Sequence, residues 1–395
     1  MTLIADGGTF VVNAERDASQ RSPDVTATGA GGIAVVWESN ADFDADNEVI
    51  LRLFDADGAP TTGDLGLPGL RERDQEDARI AELAGGDLVV VWESSFEDGS
   101  FAGVFARLTA PDGTPRGPAF RVNETVDDDQ RAPAEAALSE GGFVVVWESQ
   151  GIDGSFDAVM SRRYAADGTP EGGEVQVNQS VEGAQRLAEV AALPDDGFVV
   201  TFANTDSALA RDPFFFGRAS FRIDGFGEAE LIEDFDPWEV TREPSIAPLA
   251  GGGFAAAFGY RGNPNDDNIL EAGEPTGFLV RVIGPTGGAS GTFEIDTTDG
   301  GAVDFHDVAA LPDGGFVVAY ARSRSLEETN VFLQRFDEFG QALGGPVQAN
   351  PDGDGVRRAS DPAVTVLADG RVAVVYNAFG DATTSTDLLA RYIDV

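Results

Sequence analysis

A short glycine-led apolar phrase returns seven times along the chain and limits the possible folds more than any other feature. It reads GGIAVVWES at 31–39, GGDLVVVWES at 85–94 and GGFVVVWES at 141–149, and weaker copies start at 196, 252, 314 and 369. The anchoring glycines are Gly32, Gly86, Gly142, Gly197, Gly253, Gly315 and Gly370, with successive spacings of 54, 56, 55, 56, 62 and 55 residues. So regular a period indicates one repeat architecture.

Each repeat divides into four strand candidates that are separated by turn residues. In the third repeat they lie near 135–138, at 143–147, up to Tyr164 and at 174–178, with an Asp167-Gly168 turn before the last. This pattern predicts an all-β, seven-bladed β-propeller with four-stranded blades, and one domain over residues 1–395. A β-solenoid is the competing architecture, but its coils are much shorter than this period.

The two ends of the chain predict how the ring closes. TFVVN at 9–13 matches the outermost strands FRVN at 120–123 and VQVN at 175–178, whereas the chain stops at LLARYIDV, after a third-strand pattern. We therefore expect the N-terminal strand to complete the last blade, which removes exposed sheet edges. On this expectation the ring is complete.

Charge and residue types exclude several function classes. The 395 residues carry 26 Lys and Arg against 69 Asp and Glu, a net charge of −43, which argues against nucleic acid and anionic membrane surfaces as partners. Such a field favours solubility and attracts cations such as Ca²⁺. There are no cysteines, so disulfides and thiolate metal sites are impossible, and the core alone, drawn from 42% hydrophobic residues, must hold the fold.

No segment of the sequence predicts membrane insertion. The start, MTLIADGGTF, lacks the basic and apolar regions of a signal peptide, and no apolar run reaches the length of a membrane span. We expect a secreted or cell-surface protein that is exported without a cleaved signal, and a monomer.

Two acidic loops are candidate calcium sites. Asp42, Asp44 and Asp46 alternate like the first half of a calcium loop, and Asn47 and Glu48 follow. Asn47 stands where such loops need glycine, so a solvated acidic loop remains an alternative. The second candidate, with Asn265, Asp267 and Glu271, belongs to the longest repeat interval, where drift in length is the alternative.

A second set of candidates lies on one predicted rim. A Gln-Arg pair precedes the first strand of several repeats, and the set is Gln20, Arg21, Gln130, Arg131, Gln185 and Arg186, with Gln75 as a Gln-Glu variant. These side chains form hydrogen bonds between blades or a ring that grips a sugar or carboxylate. Trp238, which has no counterpart in other repeats, and His306, the only histidine, complete this ligand set. Trp37, Trp92 and Trp147 occupy a slot that Phe or Tyr fills elsewhere, which is typical of core packing.

The residue types favour a binding protein over an enzyme. One histidine and no cysteine nearly exclude Ser-His, Cys-His and multi-histidine zinc arrangements. We therefore predict that the chain is not an enzyme. Carboxylates on the rim could still perform glycoside hydrolysis, because Asp and Glu suffice for that reaction.

The repeat unit resembles a known family of exported proteins. GGFVVVWES, a Gly/Asp/Ser-rich loop, an Arg-containing strand, Asp-Gly-x-Pro-x-Gly and a strand ending in Val-Asn are similar to the repeats of large proteobacterial RTX-like calcium-binding adhesins, most clearly over 85–200. The resemblance implies type I secretion and extracellular adhesion. The nonapeptide GGxGxD calcium repeats of that family are missing here, so their calcium sites do not carry over.

These inferences predict an extracellular binding or adhesion module. Its rim loops would recognise a glycan or a surface protein, with structural Ca²⁺ in one or two acidic loops. The alternatives are a carbohydrate-active hydrolase or lyase that uses rim carboxylates, and a structural unit of a surface assembly.

Overall fold

The computed structural model describes residues 3, 8–16, 18–40, 47–67, 74–179, 181, 183–194, 197–204, 217–223, 229–235, 239–240, 244–261, 276–285, 293–296, 302–325, 328–351, 356–380 and 386–395. These residues form 29 β-strands and no helix, so the predicted all-β class is confirmed. Within them, no helix is long and apolar enough to cross a membrane.

The first three repeats give short, regular strands. The opening strand is β1 (Phe10–Val11), and the first repeat holds β2 (Ser19–Ala27), β3 (Ile33–Asn40), β4 (Glu48–Phe54) and β5 (Leu65–Gly66). The second holds β6 (Gln75–Glu82), β7 (Leu88–Ser95), β8 (Ala102–Thr109) and β9 (Phe120–Arg121), and the third holds β10 (Gln130–Ala137), β11 (Phe143–Gln150), β12 (Asp157–Tyr164) and β13 (Val175–Gln176).

The later repeats follow the same order with more variation. The fourth holds β14 (Gln185–Ala192), β15 (Phe198–Asn204), β16 (Gly217–Ile223) and β17 (Ala229–Phe235), and the fifth β18 (Glu239–Val240), β19 (Ser245–Pro248), β20 (Phe254–Arg261), β21 (Thr276–Ile283) and β22 (Phe293–Asp296). The sixth holds β23 (Ala302–Ala310), β24 (Phe316–Ser325), β25 (Glu328–Phe336) and β26 (Val347–Gln348), and the seventh β27 (Val356–Val366), β28 (Val372–Gly380) and β29 (Thr386–Ile393).

The fold is a β-propeller, but it does not consist of seven separate four-stranded sheets as predicted. Four sheets, those of repeats one to four, are separate four-stranded blades. The fifth sheet has five strands, because β18 and β19 both pair with β20. Repeats six and seven share one eight-stranded sheet, because a parallel bridge between Thr329 and Arg358 joins β25 to β27.

The first strand of the chain pairs with the last, as the matching ends predicted. In β1, Phe10 lies opposite Ala390 and Val11 opposite Leu389, antiparallel to β29. Beyond β1, the Asn13 Oδ1 accepts the Leu388 amide at 2.8 Å. The same contact recurs between Asn123 and Val104 at 2.9 Å. The asparagine that ends each Val-Asn strand therefore anchors the outer edge of its blade.

The innermost strands form a closed ring. Each of β2, β6, β10, β14, β19, β23 and β27 contacts the innermost strands of the two neighbouring repeats, and β27 contacts β2. Because pairing is antiparallel, the loop after each second strand lies on the same rim as the start of the innermost strand: Ser95 N, for example, donates to Asp74 O at 3.0 Å. We call this the loop rim, and the opposite face the turn rim.

Apolar packing between blades holds the ring together. Trp37, Trp92 and Trp147 have no exposed surface, so their predicted core role is confirmed. Burial of side chains of this size is the main favourable contribution to folding in a chain without disulfides. The second strands are buried on both faces, since each is packed between two neighbouring blades.

The glycine anchors divide into two structural positions. Gly32 and Gly142 lie directly against the backbone of the third strand, where a Cβ would meet Phe54 O at 1.9 Å and Tyr164 O at 2.3 Å. Gly86 and Gly370, the predicted anchors of repeats two and seven, instead occupy the preceding turn with φ of 85° and 91°. The predicted anchor is therefore displaced by one residue in these two repeats.

Candidate functional site

The innermost strand of the third repeat carries a carboxylate where the other repeats carry a core residue. The register places Glu135 opposite Val145, and the matching residues of the other innermost strands are apolar: Val25, Ile80, Val190, Ile246, Val308 and Val364. The Glu135 Oε2 is inaccessible to solvent and has no hydrogen-bond partner. A buried polar atom without a partner costs about 1–3 kcal/mol, so it calls for a functional explanation.

Further charged side chains surround Glu135 from neighbouring innermost strands. Asp24, Arg79 and Glu189 occupy one equivalent position in repeats one, two and four, and Asp307 occupies it in repeat six. The Arg79 Nη2 lies 3.8 Å from the Glu189 Oε1. The ring of innermost strands therefore brings four carboxylates and one guanidinium together. We call these five residues the channel cluster.

Two members of the channel cluster also hold neighbouring innermost strands together. The Asp24 Oδ2 accepts the Ile80 amide at 2.7 Å, and the Asp307 Oδ2 accepts the Val364 amide at 2.7 Å. Asp307 also accepts the Ser245 hydroxyl at 2.8 Å. These bonds favour ionised Asp24 and Asp307, whereas Glu135 has no such donor at its buried oxygen.

Burial and mutual repulsion give the carboxyl groups of the channel cluster different pKa values. Burial, and then the nearby Asp24 carboxylate, hold the pKa of Glu135 well above its usual value, although Arg79 acts in the opposite direction. Burial also raises the pKa of Asp24 to about 6, with Arg79 lowering it and Asp307 raising it. Glu135 therefore carries a proton at neutral pH more readily than Asp24 does. A protonated carboxyl beside ionised ones is the arrangement that general acid–base chemistry requires.

Toward the loop rim, the glutamate of the WES phrase links each blade to the next. Glu38 accepts the Arg21 Nε at 2.8 Å and the Asp77 amide of the following repeat at 2.9 Å. Glu148 repeats this with the Arg131 Nε at 3.1 Å and the Leu187 amide at 2.7 Å. The amide donors lie in a β-bulge, where Asp77 and Leu187 adopt φ of 51° and 57°.

The second repeat breaks this pattern. Glu76 stands where the first and third repeats have arginine, so Glu93 keeps the Ala132 amide at 3.2 Å but loses the guanidinium of its own blade. Burial, then the Asp77 and Glu76 carboxylates, raise the pKa of Glu93 to about 7, although the Ala132 amide and Arg131 lower it. Glu93 therefore titrates near neutral pH.

Raised carboxyl pKa values predict a protein that gains stability on mild acidification. Glu93 ordinarily titrates at 4.5 and has a folded-state pKa of about 7, so the folded state binds more protons between these values. The stabilising contribution of Glu93 protonation to the free energy of unfolding is complete below pH 4.5 and is lost as the pH rises through about 7. We expect a higher melting temperature at acidic than at alkaline pH in differential scanning fluorimetry, with salt present to screen the net charge.

Glu93→Gln should raise the melting temperature at alkaline pH and reduce its slope with pH. Glu38→Gln is the matched control, because it weakens the Arg21 ion pair and should lower stability. A melting temperature of wild type that falls from neutral pH to pH 5.5 would contradict the raised pKa of Glu93.

The predicted rim glutamines are buried inside the blades. Gln20 accepts the Trp37 indole Nε1 at 2.5 Å, and Gln130 accepts that of Trp147 at 3.1 Å. Gln75 accepts the Val49 amide at 3.2 Å, and Gln185 accepts the Asn178 side-chain amide at 2.9 Å. Their placement fits the hydrogen-bonding interpretation rather than a ring of exposed donors.

The arginines of the Gln-Arg pairs face carboxylates. Arg21 pairs with Glu38, and Arg131 and Arg186 both reach the buried Asp157, at 2.9 Å and 2.5 Å. The His306 Nε2 lies 3.0 Å from Ala257 O, and its ring stacks on Phe278. Trp238 lies outside the described residues. A ligand role for this set stays a prediction.

The calcium candidates fall largely outside the described residues, which exclude Asp42, Asp44, Asp46, Asn265, Asp267 and Glu271. Asn47 is buried, and its side chain bonds to Asn40 at 3.1 Å and Glu76 at 2.8 Å, so its polar atoms already have partners. Glu48 is exposed at the start of β4. Among the described residues, no group of three or more His, Asp or Glu is arranged to hold a metal ion.

Sequence reasoning missed the channel cluster. Its members lie in different repeats and belong together only once the innermost strands are superposed, whereas the conspicuous acidic runs lie in loops. The available signal was Glu135 itself, a charged residue in a column otherwise filled by valine and isoleucine.

No family model and no curated protein matches the chain. Solved structures do share its fold. An ulvan lyase bound to -[GlcA(1-4)Rha3S]- is 8% identical, with a TM-score of 0.58 and coverage of 96% of this chain and 95% of that one. An α-L-arabinanase of Penicillium chrysogenum bound to arabinobiose is 10% identical, with a TM-score of 0.52 and coverage of 98% and 99%. A protein of unknown function from Dyadobacter fermentans is 13% identical, with a TM-score of 0.57 and coverage of 98% of each chain.

These neighbours correct the prediction that the chain is not an enzyme. Solved structures with the same fold include a polysaccharide lyase and an arabinanase, so the scarcity of histidine and cysteine is no ground for excluding catalysis. The residue-type argument failed because carboxylates alone can perform acid–base chemistry on a glycan.

Proposed function

We propose that the chain is a carbohydrate-active enzyme that cleaves a glycan with the carboxylates of the channel cluster. The observation that carries this proposal is Glu135, whose Oε2 is buried without a hydrogen-bond partner and whose pKa is held well above its usual value by burial and by the nearby Asp24 carboxylate. Support also comes from the fold, which is shared with a polysaccharide lyase and an arabinanase.

In the hydrolytic reaction, Glu135 donates its proton to the oxygen of the scissile glycosidic bond. As the bond from the anomeric carbon to that oxygen breaks, a water adds to the anomeric carbon, and an ionised neighbour such as Glu189 accepts the proton of that water. Arg79, whose Nη2 lies 3.8 Å from the Glu189 Oε1, orients that carboxylate as its ion-pair partner.

Charge favours hydrolysis over elimination. A lyase must bind a uronate, and four carboxylates around one guanidinium would repel that anion. Arg79 is the feature that favours the lyase, because a guanidinium can bind a sugar carboxylate bidentately. We therefore place a hydrolase of neutral glycans first and a lyase second.

A turnover screen tests the proposed function. The full chain is incubated with neutral and uronate-containing polysaccharides while reducing ends and the ultraviolet absorbance of unsaturated sugars are followed. Reducing ends without absorbance indicate a hydrolase, and both together indicate a lyase. Retention of a glycan without turnover would overturn the proposed enzymatic function and favour a glycan-binding module instead.

Several finer predictions accompany this proposal. Each of the seven repeats would count as one blade around the channel, with repeats six and seven joined at their shared bridge. Calcium would order the acidic loops at 42–48 and 263–274. Secretion without a cleaved signal would bring the protein to extracellular glycans, as the resemblance to RTX-like repeats implies.

A further inference from the structure

Exposed hydrophobic side chains concentrate on one part of the loop rim. Among the described residues, the large hydrophobic side chains with the greatest exposure include a group from two loops and the connection that follows them: Phe96, Phe101, Ile152, Phe156 and Val181. Phe156 is 65% exposed, and Phe101 is 56% exposed. We call these five residues the aromatic arc. Such a concentration on a protein with a net charge of −43 indicates a binding surface.

Hydrogen bonds make the arc continuous. The loop that carries Phe96 and Phe101 is held to the next connection by Asn123, whose side chain donates to Asp98 at 3.1 Å. The next loop is held in turn by Gln150 N, which donates to Asp129 O at 2.9 Å, and by Ser155, whose hydroxyl donates to Gly183 O at 3.2 Å. Asp98 and Asp153 also accept the Ser100 and Ser155 amides, each at 3.0 Å, which fixes the shape of the two loops.

The backbone of Phe96 adopts a costly conformation that keeps its ring on the surface. Phe96 has φ of 57°, a left-handed value that phenylalanine seldom adopts, and its counterpart Gly151 has φ of 73°. Both residues donate their amide to the residue before the third strand, Phe101 and Phe156 respectively. The second repeat therefore holds an exposed ring, 6.2 Å from that of Phe101, where glycine would be relaxed. Strain of this kind persists where function requires it.

A polar cavity opens beside the arc. It has a volume of about 360 Å³ and is lined by Glu97, Asp98, Arg121, Asn123, Glu124 and Arg162 together with Phe105. Carboxylates, guanidiniums and an amide offer both acceptors and donors for hydroxyl groups. Aromatic faces beside such groups suit sugars, which present apolar C–H faces and polar edges.

We propose that the aromatic arc is a docking surface for a neutral polysaccharide, which it guides along the loop rim to the channel mouth. This proposal deepens the proposed function and rests on it for the chain that is bound. The charge of −43 repels anionic polymers and a second copy of this chain, which leaves a neutral glycan as the occupant.

Binding is measured by native electrophoresis through gels that contain laminarin, xylan or debranched arabinan, with polygalacturonate as the anionic probe. The parent is the full chain with Glu135→Gln, so that the polymer is not consumed. We expect retardation in a neutral gel, and a loss of affinity of about tenfold or more when Phe96→Gly, Phe101→Ala and Phe156→Ala are combined.

The chain offers matched controls. Phe96→Gly copies Gly151 and should preserve or raise the melting temperature, so a loss of binding would not reflect unfolding. Phe339 is 64% exposed and lies on the turn rim, in the turn after β25. Phe339→Ala is therefore the second control, and it should leave retardation unchanged.

Absence of retardation by every neutral polymer, equal retardation of the triple variant and its parent, or stronger retardation by polygalacturonate would overturn the docking surface. A dimer in gel filtration that the three Phe substitutions dissociate would also overturn the proposal, because the aromatic arc would then bind a second copy of the chain rather than a glycan. Turnover that survives Glu135→Gln would instead overturn the proposed function and leave the binding result intact.

Discussion

Glu135→Ile is expected to stabilise the protein and to abolish turnover. Isoleucine occupies the equivalent position in Ile80 and Ile246, so the substitution restores the apolar column of the innermost strands. Removal of a buried oxygen without a partner should stabilise the fold by about 1–3 kcal/mol. Gain of stability with loss of activity is the expected result where a functional group has been retained at a cost to the fold.

Glu135→Gln is the companion variant. It keeps the shape of the side chain but cannot donate an acidic proton, so turnover should fall by roughly 10²- to 10⁴-fold. Urea denaturation and initial rates on the polysaccharide identified in the turnover screen give the two readouts. Ile80→Val, a conservative change in the same column, should leave the rate unchanged. A Glu135→Ile variant that is less stable than wild type would show that the carboxyl is a structural group.

The alkaline limb of the pH–rate profile provides an independent check on this role. If Glu135 donates the proton, the loss of rate at high pH reports its titration in the wild type. Burial raises the pKa of Asp24 to about 6, so the titration of this neighbour should also appear in the profile. Because the two carboxyls interact, the limbs report the pair rather than either residue alone.

The repeat period predicted the strand pattern, the core tryptophans and the pairing of β1 with β29, because each follows from local alternation and spacing. It did not predict the shared sheet of repeats six and seven, which depends on one bridge between Thr329 and Arg358. For the rim glutamines it left two interpretations open, hydrogen bonds in the fold or a ring of exposed donors, since the choice between the Trp37 indole and solvent is made by packing.

The candidate site was beyond local reasoning for a different reason. Asp24, Glu135, Glu189 and Asp307 are separated along the chain by whole repeats, and each looks like an ordinary strand residue in its own repeat. Only closure of the ring makes them neighbours. The aromatic arc was missed because phenylalanine in a repeat protein is first interpreted as core, whereas Phe101 and Phe156 lie one residue before their strands begin.

Gly32→Ala should be the most destabilising glycine-to-alanine substitution in the described part of the chain, because the added Cβ has the shortest contact there. A Cβ at Gly32 would lie 1.9 Å from Phe54 O, 2.8 Å from Phe54 C and 2.9 Å from Asp55 C. These are backbone atoms of the adjacent strand and its turn, so no rotamer change relieves the contact, and β3 or β4 must move. Asp55 O also accepts the Tyr392 hydroxyl at 3.0 Å, so the movement disturbs the seventh repeat. A loss of roughly 3 kcal/mol or more in the free energy of unfolding is expected.

Gly85→Ala is the matched control for this effect. Gly85 lies in the equivalent turn of the second repeat, has no positive φ, and has no heavy atom within 4 Å of the place that an alanine methyl would occupy. Alanine there should be neutral or stabilise by up to about 1 kcal/mol, because it restricts the unfolded chain. Urea denaturation of both variants at one pH measures the difference. Equal midpoints for the two would mean that the glycine beside the third strand serves turn formation alone, and the close approach of Gly32 to Phe54 would then no longer explain why glycine leads the repeated phrase.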